Sequence, residues 1–439
     1  MPNTDEFIIE GGHTLKGTVL PSGNKNAALP LLAACLLTDQ PVVLKNVPAI
    51  RDVETMLRLI ADVGAEVRET GDHTLVVSAR DVHKAELSAE LCHEIRASIL
   101  LAGPMLARCR QVELPPPGGD IIGRRRLDTH FAALQALGAE MDIKPAGYFL
   151  RGENLRGEDI FLDEASVTAT ENALMAAVLT PGRTIIRNAA SEPHVQELAQ
   201  FLNNIGAHIE GIGTNVLTIE GVQSLRGGEH TIGTDYIEVG SFIGLAAATR
   251  SQILIRNAAP EHLRMVLLAF RRLGVEVAIR DQDIFVPAEQ SLTIVPDLHG
   301  AIPKIDDAPW PAFPADLLSV ALVMATQAKG TILIHEKMFE SRLFFVDKLI
   351  EMGAQIILCD PHRAVIAGPS RLHGERLESP DIRAGMAMLI AALCAEGTSV
   401  IRNIGQIDRG YERIDDKLRA LGAHIERRSH CDAQDQSRA

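Results

Sequence analysis

The chain has 439 residues, of which 46% are apolar and 4% aromatic, and its formal net charge is -14. That length predicts two or three domains, and the apolar fraction excludes a chain that is mostly disordered. The acidic excess argues against a general nucleic-acid-binding protein, which needs basic surface to contact phosphates. A local anion site stays possible, because a few arginines in a cleft determine the potential around them.

No targeting or membrane segment is predicted. The first residues, MPNTDEFIIEGG, lack the basic region and apolar stretch of a secretory signal. The longest apolar stretches, 28–37, 97–107, 317–326 and 386–395, are much shorter than the ~20 residues of a membrane span and predict buried helices. The cysteines show no metal-binding spacing and are expected to be reduced, which predicts a cytoplasmic protein without a membrane partner.

One short signature recurs along the chain: an aliphatic residue, glycine, a small residue, a polar residue and an aliphatic residue. It reads VGAEV, LGAEM, IGAHI, LGVEV, MGAQI and LGAHI, with glycines at positions 64, 138, 206, 274, 353 and 422. Glycine directly after an amphipathic helix is typical of a position with left-handed backbone. The signature therefore predicts a helix before each glycine, a strand after it, and a repeat of about 70 residues.

A repeat of this length is too long for the common helical solenoids and is typical of a unit containing strand, helix and strand. Six such repeats predict an α/β protein with two pseudo-threefold domains of three repeats each. The predicted domains are residues 22–232, which include the glycine-rich loop described below, and residues 1–21 with 233–439. Residues 428–439 lack periodicity and are expected to form a disordered tail.

The first candidate site is PSGNKNAALP at 21–30, where a turn leads into an apolar helix that begins near Lys25 and Asn26. A helix N-terminus with a neighbouring lysine is suited to binding an anion. On this motif alone, a surface turn with a solvated lysine is the alternative.

The second candidate is LPPPGGDIIGRRRLDTH at 114–130, where prolines and glycines interrupt the rhythm of helices and strands. Asp120 lies there beside three consecutive arginines, 124–126. A glycine-rich loop with a carboxylate and fixed cations is typical of a catalytic lid, and arginines bind phosphate or carboxylate bidentately. An exposed loop with solvated charges is the alternative.

Charged residues also precede apolar helices. Arg96 precedes ASILLAG, Asp316 precedes LLSVALVMA, and Asp381 and Arg383 precede AGMAMLIAAL. Asp316 alone is suited to a helix N-cap, which stabilises by about 1 kcal/mol. An arginine in the first helical turn opposes the helix dipole, so Arg96 and Arg383 are expected to have an anionic partner.

Several common sites are missing from the sequence. The fifteen histidines form neither HxxxH nor HExxH, and neither GxGxxG after a strand nor GxxxxGK[ST] is present. The sequence therefore predicts no metal site and no dinucleotide or P-loop chemistry.

Together these segments resemble those of the bacterial UDP-N-acetylglucosamine enolpyruvyl transferases (1-carboxyvinyltransferases). The matching stretches are SGNKNAALP, RASILLAGP, PGGDIIGRR, AFPAD, FESR, DIRA and IDRGYERIDDKLRALGAHIER, within residues 6–427. The resemblance implies two inside-out α/β-barrel domains, in agreement with the six repeats. It implies transfer of the enolpyruvyl group of phosphoenolpyruvate to the 3′-hydroxyl of UDP-N-acetylglucosamine, the first committed step of peptidoglycan synthesis.

The resemblance also implies roles by position, without a cofactor or metal. The catalytic residues would be Lys25, Asp120, Asp316, Asp381 and Arg409, with Asp316 as the base for the hydroxyl. The phosphoenolpyruvate-binding residues would be Lys25, Asn26, Arg125, Arg342, Arg383 and Arg409. The UDP-N-acetylglucosamine-binding residues would be Arg96, Arg125, Arg126, Leu127, Asp128, Thr129, Ser166, Val167, Thr168, Asp316 and Met338.

Three positions depart from the usual family pattern. Asp120 replaces the cysteine of most members, Glu164 a common lysine, and Tyr236 a frequent arginine. Fosfomycin alkylates the cysteine thiol, so Asp120 predicts intrinsic fosfomycin resistance. Glu164 places an anion near the expected diphosphate, which leaves a transferase for a different nucleotide acceptor as an alternative. The sequence is also weighed against the shikimate 3-phosphate enzyme of the same fold and against a non-catalytic UDP-sugar-binding paralogue.

Overall fold

The structure, a computed structural model, describes residues 5–120 and 122–429, and within them the chain forms 23 strands and 13 α-helices. The strands are β1 (Glu6–Glu10), β2 (Lys16–Val19), β3 (Val42–Lys45), β4 (Glu66–Gly71), β5 (Thr74–Ser78), β6 (Gln111–Leu114), β7 (Glu140–Lys144), β8 (Gly147–Arg151), β9 (Asp159–Phe161), β10 (Arg183–Arg187), β11 (His208–Glu210), β12 (Val216–Glu220), β13 (Gly228–Thr231), β14 (Gln252–Ile255), β15 (Ala278–Arg280), β16 (Asp283–Val286), β17 (Lys304–Asp306), β18 (Gly330–His335), β19 (Gln355–Asp360), β20 (Arg363–Gly368), β21 (Arg376–Glu378), β22 (Thr398–Arg402) and β23 (His424–Arg428). The helices are α1 (Lys25–Ala34), α2 (Arg51–Asp62), α3 (Ala89–Glu94), α4 (Ala102–Cys109), α5 (Asp128–Ala136), α6 (Val167–Ala177), α7 (Pro193–Asn204), α8 (Tyr236–Ala248), α9 (Arg264–Arg272), α10 (Leu318–Gln327), α11 (Val346–Glu351), α12 (Ile382–Cys394) and α13 (Ile414–Ala420).

The chain divides into two compact units. The central unit contains Gly23–Gly119 and Arg125–Gly233, and the terminal unit contains the chain up to Ser22, Asp120–Arg124 and the chain from Thr234 onward. The glycine-rich loop was predicted within 22–232, but its Asp120–Arg124 segment groups with the terminal unit. Two backbone donors explain this: Arg124 N donates to Glu340 Oε2 at 3.1 Å, and Ser341 N donates to the carbonyl of Ile122 at 3.2 Å.

The six signature glycines organise the sheets. All have positive φ, between 78° and 113°, which confirms the predicted left-handed helix ends. The strands that follow them are β4, β7, β11, β15, β19 and β23, and each is the outermost strand of a different sheet. The six sheets have the strand orders β13-β3-β5-β4, β6-β8-β7, β11-β12-β10-β9, β15-β16-β14-β2, β17-β18-β20-β19 and β21-β22-β1-β23.

In each unit, three helices are almost fully buried and the sheets surround them. In the terminal unit, α8, α10 and α12 contact one another and are buried along almost their whole length. In the central unit, α1, α4 and α6 are similarly buried. In strands such as β10, buried residues alternate with more exposed ones, so one face of the strand packs inward. This confirms the predicted inside-out α/β fold with three repeats in each unit.

The C-terminal prediction needs a correction. Arg428 is the last residue of β23, and its Nε donates to Glu426 Oε1 at 2.8 Å, so the predicted tail includes one residue of regular strand. Ser429, which follows the strand, has no regular secondary structure, and residues 430–439 of the predicted tail lie outside the described residues. In the part of the chain that the structure describes, no helix has the length and apolarity to span a membrane.

The close packing of α8 against α10 yields a test. A Cβ on Gly244 would lie 2.4 Å from Val320 Cγ1 and 2.8 Å from Met324 Sδ. We expect Gly244→Ala to lower the free energy of unfolding by about 1–3 kcal/mol, because overpacking forces the buried helices apart. Gly71→Ala is the matched control, since nothing lies within 4 Å of its Cβ. Equal urea midpoints for the two variants would contradict this packing.

Candidate active site

The N-terminus of α1 buries its lysine. Asn24 caps the helix, and its Oδ1 accepts from Asn26 N at 2.8 Å and from Ala27 N at 3.2 Å. Lys25 is only 7% exposed, and its Nζ lies 2.6 Å from Oδ2 of the equally buried Asp52. The alternative of a solvated surface lysine is therefore wrong, because the capped turn directs Lys25 inward to a carboxylate.

Arg96 fixes the backbone that follows the glycine-rich loop. It begins a 3-10 helix, Arg96–Leu101, and its Nη2 donates to the carbonyl oxygens of Arg125 at 2.5 Å and Arg126 at 3.4 Å. Burial, with a smaller contribution from the charge of Arg125, lowers the pKa of Arg96 to about 10. We expected Arg96 to have an anionic partner, but the structure shows its guanidinium donating to two carbonyl oxygens.

A buried network joins the N-termini of α5 and α6. Thr168 Oγ1 lies 3.1 Å from His130 Nε2, and Asn172 Nδ2 lies 3.0 Å from His130 Nδ1. Burial, reinforced by Arg96 and Arg125, lowers the pKa of His130 to about 3, so the imidazole is neutral at physiological pH. The neutral ring holds Thr168 beside Ser166, which caps α6 through Ala169 N.

The predicted nucleotide residues at the start of α5 share a second partner. Arg126 pairs with Asp128 at 3.2 Å and with Asp163 at 3.3 Å, and Thr129 Oγ1 donates to Asp163 Oδ1 at 2.5 Å. The hydrogen bond to Asp128 raises the pKa of Arg126, and the exposed Glu164 adds to this effect. The structure thus brings Arg126–Thr129 and Ser166–Thr168 together through Asp163 and His130, two residues that the sequence did not single out.

In the terminal unit, Asp316 lies between two arginines. Its Oδ1 accepts from Arg342 Nη2 at 2.6 Å, and its Oδ2 is 2.9 Å from Arg383 Nη2. Asp316 is not the N-cap of its 3-10 helix, which is Pro314, nor of α10, which is Leu317. The alternative of a helix cap is therefore wrong, because both carboxylate oxygens face guanidinium groups instead of the first-turn amides.

Both of these arginines keep an unused donor. Arg342 Nε and Arg383 Nη1 are buried and have no hydrogen-bond partner among the described residues. Burial opposes the charge of Arg383, but Asp316 and Tyr411 raise its pKa above the ordinary value. An unsatisfied buried donor costs about 1–3 kcal/mol, so an acceptor supplied by a ligand would stabilise both arginines.

Asp381 and Asp120 complete this group. Asp381 is the true N-cap of α12, accepting from Arg383 N at 2.8 Å and Ala384 N at 2.9 Å. Burial raises the pKa of Asp381, which Arg342 opposes and the Asp120 carboxylate reinforces. Asp120 itself forms an ion pair with Arg409 Nη1, which also donates to Gln406 Oε1 at 2.9 Å. The predicted catalytic residues of the terminal unit therefore converge.

Two buried carboxyl groups beneath this group were missed from the sequence. Asp307 and Glu336 have no exposed surface. Asp307 Oδ1 accepts from Lys337 N at 2.5 Å, and Glu336 Oε1 accepts from Met338 N at 3.2 Å and Phe339 N at 3.1 Å. They thereby hold the turn that leads to Arg342 and that exposes Met338, a predicted nucleotide contact.

Tyr236 is buried, whereas a residue that selects the acceptor by direct contact would have to be accessible to it. It begins α8, is 3% exposed, and packs edge-on to Trp310 with ring centroids 6.1 Å apart. Tyr236 therefore contributes to the packing of the terminal unit's core.

Comparison with known proteins identifies the family. Residues 9–418 match the family model described as EPSP synthase (3-phosphoshikimate 1-carboxyvinyltransferase). The chain is 60% identical over 422 residues to UDP-N-acetylglucosamine 1-carboxyvinyltransferase of Bradyrhizobium diazoefficiens, covering 96% of this chain and 98% of that protein. It is 56% identical over 421 residues to the enzyme of the same name from Treponema denticola, covering 96% and 99%. The chain belongs to the UDP-N-acetylglucosamine 1-carboxyvinyltransferase family.

Solved structures agree on the fold of this family member. The enolpyruvyl transferase NikO from Streptomyces tendae is 24% identical and superposes with a TM-score of 0.87 over 98% of this chain and all (100%) of that one. EPSP synthase from Acinetobacter baumannii is 16% identical, with a TM-score of 0.75 over 97% of this chain and 100% of that one. The resemblance inferred from the motifs is confirmed.

The carboxyl pair predicts a pH dependence of stability in this 1-carboxyvinyltransferase family member. Burial, and then Asp307, raise the pKa of Glu336, so folding favours its protonated form. That contribution is complete below the unfolded pKa of about 4.3 and is lost as pH rises through the higher folded value. We expect Glu336→Gln, which keeps a donor toward Asp307 without ionising, to gain stability relative to the unaltered chain between about pH 5 and pH 8.

Urea unfolding at about pH 5 and about pH 8 measures the difference in stability between Glu336→Gln and the unaltered chain. Glu351→Gln, at a pair with Lys348 in which both side chains are exposed, is the matched control. A constant difference between Glu336→Gln and the unaltered chain across the range would show that Glu336 is ionised in the folded state.

Proposed function

We propose that this chain transfers the enolpyruvyl group of phosphoenolpyruvate to the 3′-hydroxyl of UDP-N-acetylglucosamine and releases phosphate. The observation that carries the proposal is Asp316 between Arg342 and Arg383, with one buried donor unused on each arginine. This arrangement supplies a carboxylate base next to an incomplete anion site. The relatives that carry this enzyme name, at 51–60% identity, favour this acceptor.

The reaction proceeds by addition and elimination. Asp316 accepts the proton of the sugar hydroxyl as its oxygen bonds to C2 of phosphoenolpyruvate, and the π electrons of the double bond take up a proton at C3. The C2–O bond to phosphate then breaks, a proton leaves C3, and the double bond forms again. Two guanidinium partners keep Asp316 in its carboxylate form, which a base for the first step requires.

Clustered cations hold the phosphate and carboxylate of phosphoenolpyruvate. In the terminal unit, Arg342, Arg383 and Arg409 serve this role. Bidentate binding by arginine stabilises the negative charge that develops in the tetrahedral intermediate. Asp381 orients Arg383 because its carboxylate caps the backbone at that residue.

In this proposal Asp120 first takes up a proton from solvent, after it leaves its ion pair, and then delivers that proton to C3. In the structure its carboxylate is paired with Arg409. A substrate anion would compete for this guanidinium, and its binding would release Asp120 from the ion pair. In this proposal substrate binding is therefore coupled to the release of Asp120, because the substrate anion and Asp120 compete for Arg409.

The nucleotide is assigned to the network at the starts of α5 and α6. Leu127 and Val167 supply apolar contact, while Arg126, Thr129 and Thr168 supply polar groups held by Asp163 and His130. Arg126 already has carboxylate partners, so a diphosphate must compete with Asp128 and Asp163 for its guanidinium. Together with Glu164, this acidic surrounding keeps a different nucleotide acceptor as the second candidate.

A coupled assay tests the proposal. We expect phosphate release from phosphoenolpyruvate with UDP-N-acetylglucosamine and an enolpyruvyl adduct on that nucleotide by mass spectrometry. Asp316→Asn should lower kcat by about 10²–10⁴-fold, the usual contribution of a positioned base, while nucleotide binding persists. Asp360→Asn, which removes an exposed pair with Arg363, is the control.

Candidate acceptors are separated in the same assay. Turnover with another nucleotide but not with UDP-N-acetylglucosamine would support the second candidate, and turnover with shikimate 3-phosphate would support the sister enzyme. Nucleotide binding without turnover of any acceptor would indicate a non-catalytic paralogue. Near-normal activity of Asp316→Asn would remove its role as base.

Asp120 predicts resistance to fosfomycin. A carboxylate is a poor nucleophile toward the epoxide compared with a thiolate, so we expect no time-dependent inactivation of the unaltered chain. Asp120→Cys should become sensitive and gain the mass of the inhibitor, whereas Asp120→Ser should not. A fosfomycin adduct on Asp120 in the unaltered chain would contradict this prediction.

A further inference from the structure

Three potential metal ligands meet at one end of the sheet β21-β22-β1-β23. Glu10 ends β1 and lies directly opposite His424, the first residue of β23, and His13 returns to the same place after a glycine turn. Their ligand atoms all lie within 4.8 Å of one another. His424 Nδ1 is 3.3 Å from Glu10 Oε2, and His13 Nε2 is 3.7 Å from Glu10 Oε1.

The turn that returns His13 is firmly held. Gly11 N donates to the carbonyl of Gly397 at 3.1 Å, and Gly12 N donates to that of Leu393 at 3.0 Å. A Cβ on Gly11 would lie 2.2 Å from the Ala392 carbonyl oxygen, so only glycine fits this approach. Because the backbone is anchored on both sides of the turn, the position of His13 is set before any ligand binds.

One donor atom of the cluster is unused. The His13 side chain is 41% exposed, yet its Nε2 is buried and has no hydrogen-bond partner among the described residues. The two imidazole rings lie side by side, with centroids 4.1 Å apart. The buried Nε2 of His13 thus faces the Glu10 carboxylate at 3.7 Å, beyond hydrogen-bonding distance, without a direct hydrogen bond to it.

We propose that Glu10, His13 and His424 bind a divalent transition-metal ion of the zinc class, with a further coordination position open to water. Zinc bonds of about 2.0–2.1 Å in a tetrahedron place the ligand atoms about 3.3 Å apart, close to the separations found here. Imidazole with carboxylate is a ligand set suited to zinc and unsuited to magnesium, which prefers oxygen ligands. The sequence predicted no metal because these residues are far apart along the chain.

The site lies away from the catalytic residues of the terminal unit. Along β1, Glu10 is at one end and Glu6 at the other, where it pairs with Arg402 at the end of β22. The segment bearing Arg409 follows Arg402, so it leaves the opposite end of the sheet. A bound ion would cross-link β1 to β23 and stabilise the fold without contacting substrate.

Zinc titration of the metal-free full chain tests the proposal. The background carries Cys359→Ser, since Cys359 is exposed, and Cys431→Ser, at a position outside the described residues. We expect binding of one zinc equivalent by calorimetry and a rise in Tm of about 2 °C or more, with no rise from magnesium. A visible ligand-field band with cobalt would report the coordination geometry.

Variants assign the ligands. His13→Gln and His424→Gln should each weaken zinc binding by about tenfold or more, because each removes one ligand. His373→Gln, at another exposed histidine, should leave zinc binding unchanged. Phosphate release without zinc should be the same in all variants, which shows that they fold.

The proposal is overturned if the chain binds no zinc, since the three residues would then form only a hydrogen-bonded cluster. It is also overturned if zinc binding survives both glutamine variants or is lost equally in His373→Gln. None of these results depends on which acceptor the enzyme uses.

Discussion

A helix that is buried on all sides accommodates charged side chains most readily near its ends. In the terminal unit, α8, α10 and α12 are buried along nearly their whole length, and α1 and α6 are similarly enclosed in the central unit. Charge within their middle turns would require desolvation without partners. Three of the buried or partly buried charged side chains of the candidate site, Lys25, Asp316 and Arg383, accordingly lie at or just before the starts of buried helices.

This confinement has an electrostatic consequence. The positive end of a helix dipole favours the Asp381 carboxylate and disfavours the Arg383 cation two residues later. Asp316 compensates, but it also serves Arg342, so this part of the site contains two cations for one shared carboxylate. Because each arginine keeps a buried donor without a partner among the described residues, an anionic substrate would satisfy groups that the protein alone leaves unsatisfied. Pre-formed donors of this kind stabilise developing negative charge without reorganisation during the reaction.

Local features of the chain could be predicted from the sequence, whereas contacts between distant segments could not. The conformation of the six glycines could be predicted because a helix that ends in left-handed backbone has a recognisable local sequence, with glycine directly after the helix. Asp316 and Asp381 both precede an apolar helix, and the sequence could not show that only Asp381 caps one. The buried pair Asp307–Glu336 could not be predicted from local sequence. Its two members follow different strands, and only folding brings them together.

Asp120 contributes to how its loop is held. The family resemblance leads us to expect cysteine at this position, and a neutral thiol would offer Arg409 no ion pair. The Asp120 carboxylate adds one, and the same segment is also tied to the terminal unit through the Ile122 carbonyl and Arg124 N. These three attachments lie within five residues and hold Asp120 on the same unit as Asp316. Asp120 offers no thiol for fosfomycin to alkylate and pairs with Arg409 instead, so under the proposed function a substrate anion would compete with Asp120 for that guanidinium.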